Sequence, residues 1–272
     1  RLRGLYSVTG AVTLLETATR HVHRSTTYRI RVNAGILLCG VFQQADSESS
    51  DIVRAFDIYT LSPKVAKFGP EAPVEYEIYL RMGFESPEEA LAMHLVPLRL
   101  IIDPKGKQAI IMPAFLGSLS SVEVTRLPDD DPCSLQVLER TMLKGLGQIA
   151  TALSYLHRVS IFHNDIKPGN ILLSMNGDWF LCDYDSATHP DVARRGGIKY
   201  TSLYIPSDLR KGISPIAHNT PAFDKLLLVV TVLDRLEILK LNGGFYLRDV
   251  YEAIDERVLT SEMKVALLDL LP

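Results

Sequence analysis

The sequence predicts an α+β fold in two lobes, the first rich in strands and the second mostly helical. Three observations carry this. Between Tyr28 and Pro113, β-branched and aromatic runs are punctuated by turn residues, with one helical pattern among them. From Leu135 onward, apolar residues recur at three- and four-residue steps instead. The chain has 272 residues, 47% of them hydrophobic, enough for one large core or two smaller ones. The lobes are expected to divide near Met112 to Leu119, with the first over residues 1–113 and the second over 114–272.

The elements follow in order. Residues 1–35 hold no clear pattern, and "GAVTLLETATRHVHRS" fits a strand or a short helix. "YRIRVNAGILLCGVFQQ" is β-rich, and the polar "ADSESSD" (Ala45 to Asp51) reads as a loop. "IVRAFDIYTLSPKVAKF" reads as strand, turn at Thr60 to Pro63, and strand, with Val65 and Lys67 on one face because side chains alternate. "PVEYEIYLRMG" is a helix that Gly83 ends. "LVPLRLII-DPKGK-QAIIMP" is a hairpin turning at Asp103, Pro104 and Gly106. The stretch Leu135 to His157 is a long helix with Leu138, Met142, Leu146, Ile149, Leu153 and Leu156 in one stripe. Ala222 to Leu239 is apolar nearly all round, so it reads as a helix buried on several sides. "SEMKVALLDLL" is one more helix.

The totals exclude some partners. A net charge of −3 and a pI of about 6.2 give no basic field for nucleic acid or an anionic membrane. No apolar run reaches the roughly 18 residues of a membrane span. The cysteines Cys39, Cys133 and Cys182 are widely spaced and form neither a zinc pattern nor a disulfide framework. This points to a reducing, intracellular setting.

The chemistry gathers in "FHNDIKPGNILL" (Phe162 to Leu173) and "LCDYDSA" (Leu181 to Ala187). Between them "ILLS-MNGD-WFLC" reads as a tight hairpin turning at Asn176-Gly177, which brings Asn170 and Asp183 together. An amide oxygen and a carboxylate are hard ligands, and with room left for phosphate oxygens the expected ion is magnesium. Asp165 then lies beside the metal pair, able to accept the proton of an attacking hydroxyl. Lys167 is set to point a cation at the phosphate in transit.

On these residues the chain resembles the eukaryotic protein kinases. "HNDIKPGN" is similar to the catalytic loop H-R-D-x-K-x-x-N, and "DYD" (Asp183 to Asp185) stands where D-F-G is expected. The resemblance implies a two-lobed protein-kinase-like fold and a reaction using ATP and Mg²⁺. It makes Lys67 of "KVAK" the phosphate-holding lysine, with Lys64 as rival, and Glu75 its helix partner, with Glu77 as rival. It makes Met112 the gatekeeper and Pro113 to Phe115 the run whose backbone binds adenine, and it sets Cys182 against the nucleotide. "TSLYIPSDL" resembles the end of an activation segment, with Asp208 in the glutamate position, and Asp224 suits the aspartate that opens the central helix. Lys167 implies a protein serine or threonine acceptor. Three departures stand out: no G-x-G-x-x-G is present, Asn164 replaces arginine, and Asp185 replaces glycine. They leave two alternatives, a pseudokinase module and a small-molecule kinase on the same fold.

Overall fold

The computed structural model describes residues 31–33, 36–38, 43–44, 51–57, 59–102, 108–121, 132–193, 200–214, 216–241, 244–255 and 259–271. The run from Gly10 to Ser25, the loop Ala45 to Ser50, Cys39, the turn at Asp103 to Gly106, and the basic residues Arg194, Arg195 and Lys199 lie outside the described residues. The chain divides into two compact units, one of residues 1–76 and 98–114, the other of residues 77–97 and 115–272. Helix α1 (Ala72–Arg81) runs across this division, so its second half belongs to the larger unit.

The described residues of the first unit are built on one antiparallel sheet. Its strands are β1 (Arg31–Asn33), β2 (Ile36–Leu38), β3 (Gln43–Gln44), β4 (Asp51–Asp57), β5 (Ser62–Phe68), β6 (Arg99–Ile102) and β7 (Gln108–Pro113). They lie in the order β1-β2-β4-β5-β7-β6, and β3 also pairs with β4. Alternation along β5 buries Ala66 and Phe68 with Ala55, Ile101, Ala109 and Ile111, leaving Lys67 on the opposite face.

The β4–β5 turn comes earlier than the sequence suggests, since β5 already begins at Ser62. The cause is Asp57, whose Oδ1 accepts the Tyr59 N–H at 2.9 Å and the Thr60 N–H at 3.0 Å. Leu61 closes the turn at φ +52°.

The second unit is mostly helical. It contains α2 (Pro87–Ala92), α3 (Pro132–Arg158), α4 (Ser207–Arg210), α5 (Pro221–Arg235), α6 (Leu247–Asp255) and α7 (Ser261–Leu268). Three short strands, β8 (Gly117–Ser118), β9 (Ile171–Leu173) and β10 (Trp179–Leu181), form a second sheet. Met142, Leu146, Ile149, Leu153 and Leu156 of α3 are buried, and α3 packs on α5 and β10. Helix α5 is buried on every side from Leu226 to Leu233. Its N-cap is Thr220, whose hydroxyl accepts the Phe223 N–H, and Pro221 opens the first turn.

Helix α5 stops at Arg235, short of the expected Leu239. Glu237 takes φ +58°, and the Ile238 N–H turns back to Leu233 O at 3.0 Å. This is a left-handed C-terminal reversal built without glycine. Helix α2 has no counterpart in the sequence reading, although Ser86 caps it and Pro87 opens it. Among the described residues no helix is long and apolar enough to cross a membrane.

The Asp57 turn generates a pH-dependent prediction. Burial works to raise the Asp57 pKa, but the amides of Thr60 and Tyr59, the Thr60 hydroxyl and Lys64 together hold it below its ordinary 3.8. A depressed carboxyl stabilises the fold above its unfolded pKa, and the effect is lost as pH falls through the lowered folded value. Asp57→Ala is therefore expected to cost about 1 kcal/mol at pH 7. Urea melts at pH 7 and pH 2 should show that difference shrinking in acid.

Candidate active site

The site begins with the hairpin of β9 and β10, in which Ile171 pairs with Leu181. The Ser174 N–H donates to Asp178 O at 2.9 Å and the Gly177 N–H to Ser174 O at 3.0 Å. Gly177 takes φ +74°, a conformation glycine adopts without steric cost. Past the ladder, the Cys182 N–H still reaches Asn170 O at 3.0 Å. Asn170 and Asp183 therefore leave the hairpin at the same end.

Asp165 is 6% exposed and each of its oxygens accepts hydrogen bonds. Its Oδ2 accepts from Lys167 Nζ at 2.7 Å and from Asn170 Nδ2 at 3.1 Å. Its Oδ1 accepts the Thr201 N–H at 2.9 Å. Lys167 Nζ also donates to Thr201 Oγ1 at 2.7 Å. Asn170 Nδ2 further donates to Asp165 O at 2.8 Å, so the amide nitrogen is committed and Oδ1 is the atom turned away from Asp165.

Beneath this layer the loop is held by Asp224, which is fully buried. Its Oδ1 accepts the Asn164 N–H at 2.7 Å. Its Oδ2 accepts the His163 N–H at 2.9 Å and bonds His157 Nε2 at 2.9 Å. His163 spans the loop: its Nε2 donates to Cys182 O at 3.0 Å, and its Nδ1 accepts the Asp165 N–H at 3.4 Å. Asn164 has φ +65° and points inward, donating to Phe162 O, Ser186 O and Thr188 Oγ1 and accepting the Asn219 N–H.

Asp183 also takes a left-handed backbone, with φ +68° and ψ +74°. Such conformations are uncommon for a non-glycine residue and gather at functional sites. The next three residues, Tyr184–Ser186, form a 3₁₀ turn in which Asp185 has an ordinary φ. The glycine absent from position 185 is thus not required there. Tyr184 is fully buried and donates its hydroxyl toward Val96 O at 3.1 Å and Leu181 O at 3.0 Å.

In the first unit, Lys67 Nζ lies 3.0 Å from Glu75 Oε2, with Glu75 fully buried. The rival Glu77 is half exposed and lies 3.9 Å from Arg81 instead. Lys64 and Val65 of β5 face Pro113 and Met112 of β7 in the ladder. Pro113 has no N–H, and the Ala114 N–H donates to Pro63 O at 3.2 Å. In the second unit, the Leu116 N–H donates to Leu173 O at 2.9 Å, and Phe115 stacks at a tilt on Phe180 with centroids 5.1 Å apart. Cys182 is 7% exposed and its thiol points at Asn170 O, 3.4 Å away, which is the geometry of a packing residue.

Two contributors escaped the sequence reading. Thr201 has its hydroxyl bound by Lys167, whereas Ser202 beside it is exposed. Tyr204 donates to Asp234 Oδ2 at 3.0 Å, fastening the same segment to α5. Burial raises the Asp234 carboxyl above its usual pKa, and burial with that carboxylate pushes the Tyr204 phenol up. The signal for both was "TSLYIPSDL" itself, whose hydroxyls mark a segment that bonds to its surroundings. Asp208, in the position of the family's glutamate, accepts the Leu247 N–H at the start of α6 at 3.2 Å.

Removing Asp224 tests the scaffold separately from the chemistry. Asp224→Ala would leave two buried amides and an imidazole without an acceptor, a loss of about 3 kcal/mol or more. Urea denaturation should register it, together with faster amide exchange at His163 and Asn164.

Comparisons with known proteins bear on the same segment. Residues 120–209 match the family model of the protein kinase domain, which takes in Asp165, Lys167, Asn170, Cys182 and Asp183 and leaves Lys67 and Glu75 outside the match. An Aurora kinase of Schizosaccharomyces pombe is 39% identical over 74 residues, covering 27% of this chain and 21% of that protein. An Aurora kinase of Patiria pectinifera is 37% identical over 65 residues, covering 24% and 16%. A probable serine/threonine-protein kinase of Saccharomyces cerevisiae is 43% identical over 56 residues, covering 21% and 15%. The matched stretch thus spans about a fifth or less of these relatives. The segment that carries Asp165, Lys167, Asn170 and Asp183 is thus similar to the protein kinase domain, within a chain whose first unit bears the larger sheet and whose second is mostly helical.

Proposed function

We propose that this chain is an ATP- and Mg²⁺-dependent protein kinase that phosphorylates serine or threonine hydroxyls. The observation that carries the reading is the Asp165–Lys167–Thr201–Asn170 network, in which one carboxylate is oriented by three donors from two segments of chain. A carboxylate so fixed is an oriented proton acceptor, and orientation is most of what phosphoryl transfer asks of a protein.

The residues fit the groups the reaction needs. Because Asn170 spends its amide nitrogen on Asp165, its carbonyl oxygen and the Asp183 carboxylate form a hard oxygen pair suited to magnesium, with positions left for phosphate. When bound, the ion would neutralise phosphate charge. Lys67, gripped by Glu75, is a fixed cation suited to phosphate oxygens. By the family resemblance, the run from Met112 through Pro113 to Phe115 would offer adenine backbone groups, and Cys182 serves as packing behind Asn170. Lys167, 2.7 Å from Asp165, would balance negative charge as Asp165 takes the hydroxyl proton. The name of the Saccharomyces cerevisiae relative supports the choice of serine or threonine, and Lys167 agrees with it.

The test is incorporation of phosphate from ATP with Mg²⁺ into a generic basic protein. Asp165→Asn and Asp183→Asn are each expected to lower the rate about a hundredfold or more. Lys67→Ala should do the same, and Lys64→Ala should leave the rate within a few-fold of the parent. Nucleotide binding without incorporation would instead favour a pseudokinase, and ATP turnover only on adding a metabolite would favour a small-molecule kinase.

A further inference from the structure

The hairpin that carries Asn170 and Asp183 is seated on α3 by an unusually close contact. Trp179, the first residue of β10, is 2% exposed. Its ring lies so near Gly145 that a Cβ there would fall 2.1–2.5 Å from three ring atoms. No other side chain fits at position 145 unless the ring or the helix moves. One turn along, Gln148 bonds both the backbone and a side chain of the hairpin: its Oε1 accepts the Trp179 N–H at 2.9 Å and its Nε2 donates to Asp178 Oδ1 at 2.8 Å. Lys144 Nζ meets the same carboxylate oxygen at 2.8 Å. On the far side of Trp179, its carbonyl accepts from His94 Nδ1 at 3.0 Å.

We propose that Gly145 and Gln148 are positioning residues for the metal pair, setting the spacing of Asn170 and Asp183 through the seat of Trp179. The proposal rests on the phosphotransfer reading above. The path is short and stiff. Strand β10 runs from Trp179 to Leu181, and Leu181 is bonded on both sides, its N–H to His94 O at 2.9 Å and its carbonyl to the Val96 N–H at 3.0 Å. The next residue makes the Cys182 N–H to Asn170 O bond, and Asp183 follows. A strand does not absorb a shift at one end by bending within three residues, so a displaced ring displaces the Cys182–Asn170 contact. Ordinary core packing would explain burial of Trp179. It would not explain an amide that satisfies Trp179 and Asp178 together, on the helix face that also lacks a Cβ.

Trp179 is the chain's one tryptophan, so its emission reports the seat directly. The variants are Gly145→Ala, Gln148→Ala and, as a stability control, Leu267→Ala on α7. Three quantities are read: tryptophan emission, exchange of the Cys182 amide, and the Mg²⁺ concentration giving half-maximal binding of a fluorescent ATP analogue. Gln148→Ala is expected to shift emission to the red, speed Cys182 exchange and raise the Mg²⁺ midpoint about tenfold, the usual effect of losing support behind a metal ligand. Leu267→Ala should lower Tm and leave the midpoint unchanged. Should Gly145→Ala fail to fold, Gln148→Ala decides alone. An unchanged Mg²⁺ midpoint in Gln148→Ala, or an equal rise in Leu267→Ala, overturns the proposal. If the parent binds no nucleotide with Mg²⁺, the phosphotransfer reading falls by itself. Emission and Cys182 exchange then judge the seat, and no change in either in Gln148→Ala overturns it.

Discussion

Asp224 holds the catalytic segment in its shape, and it does so from a place water does not reach. A buried carboxylate costs several kcal/mol unless its lone pairs are filled. Here they are filled by the backbone of His163, the backbone of Asn164 and the ring of His157. The two amides are consecutive, so one side chain fixes the local path of the loop. The left-handed turn at Asn164 follows immediately, and Asp165 leaves that turn aimed at Thr201. Helix α5 supplies the anchor because its apolar surround keeps it from moving. Its capping is left to Thr220, which frees Asp224 to serve another segment.

Asn164 shows how a substitution at a family position changes the physics. Where the family motif has a long, charged arginine, the amide of Asn164 is short and turned in. It ties Phe162, Ser186, Thr188 and Asn219 together through neutral hydrogen bonds. Each is worth about 1 kcal/mol and none is screened by salt. Lys167 and Tyr204 add bonds to the segment from Thr201 onward. From Thr201 onward the segment is thus tied to its surroundings by bonds that need no added charge.

Much of this was legible in the sequence, for reasons particular residues make plain. The β9–β10 hairpin announced itself because Asn176-Gly177 is a turn that only a few residue types allow, and Gly177 does take a positive φ. The stripe of Leu146, Ile149, Leu153 and Leu156 fixed α3 because burial on one face leaves a period. The end of α5 was hidden because Glu237, not glycine, adopts the left-handed conformation, and nothing in a glutamate advertises that. The turn at Asp57 was misjudged because Pro63 is the louder residue, yet a carboxylate accepting two amides decides where the chain reverses. The Lys67–Glu75 pair had a rival at each end, and burial chose between them: Glu75 is enclosed and Glu77 is not. The tether through Thr201 was invisible because it joins residues 36 apart in sequence, and pairing at that range leaves no local mark.

The backbone strain in the site falls at one proposed ligand, Asp183, and at the residue before Asp165. Asn164 and Asp183 both hold positive φ in the loop layer, at a cost of about 1–3 kcal/mol each. Asp185, where the family's glycine would permit such a conformation, is relaxed. Glycine at that position is therefore not what lets the backbone turn at Asp183. The turn is imposed instead from both sides: the ladder and the Cys182–Asn170 bond fix what comes before, and the buried Tyr184, bonded to Val96 and Leu181, fixes what comes after. A side chain caught between two such clamps has its direction decided by its neighbours, so the orientation of Asp183 is set by the packing of Trp179 and Tyr184 on either side of it.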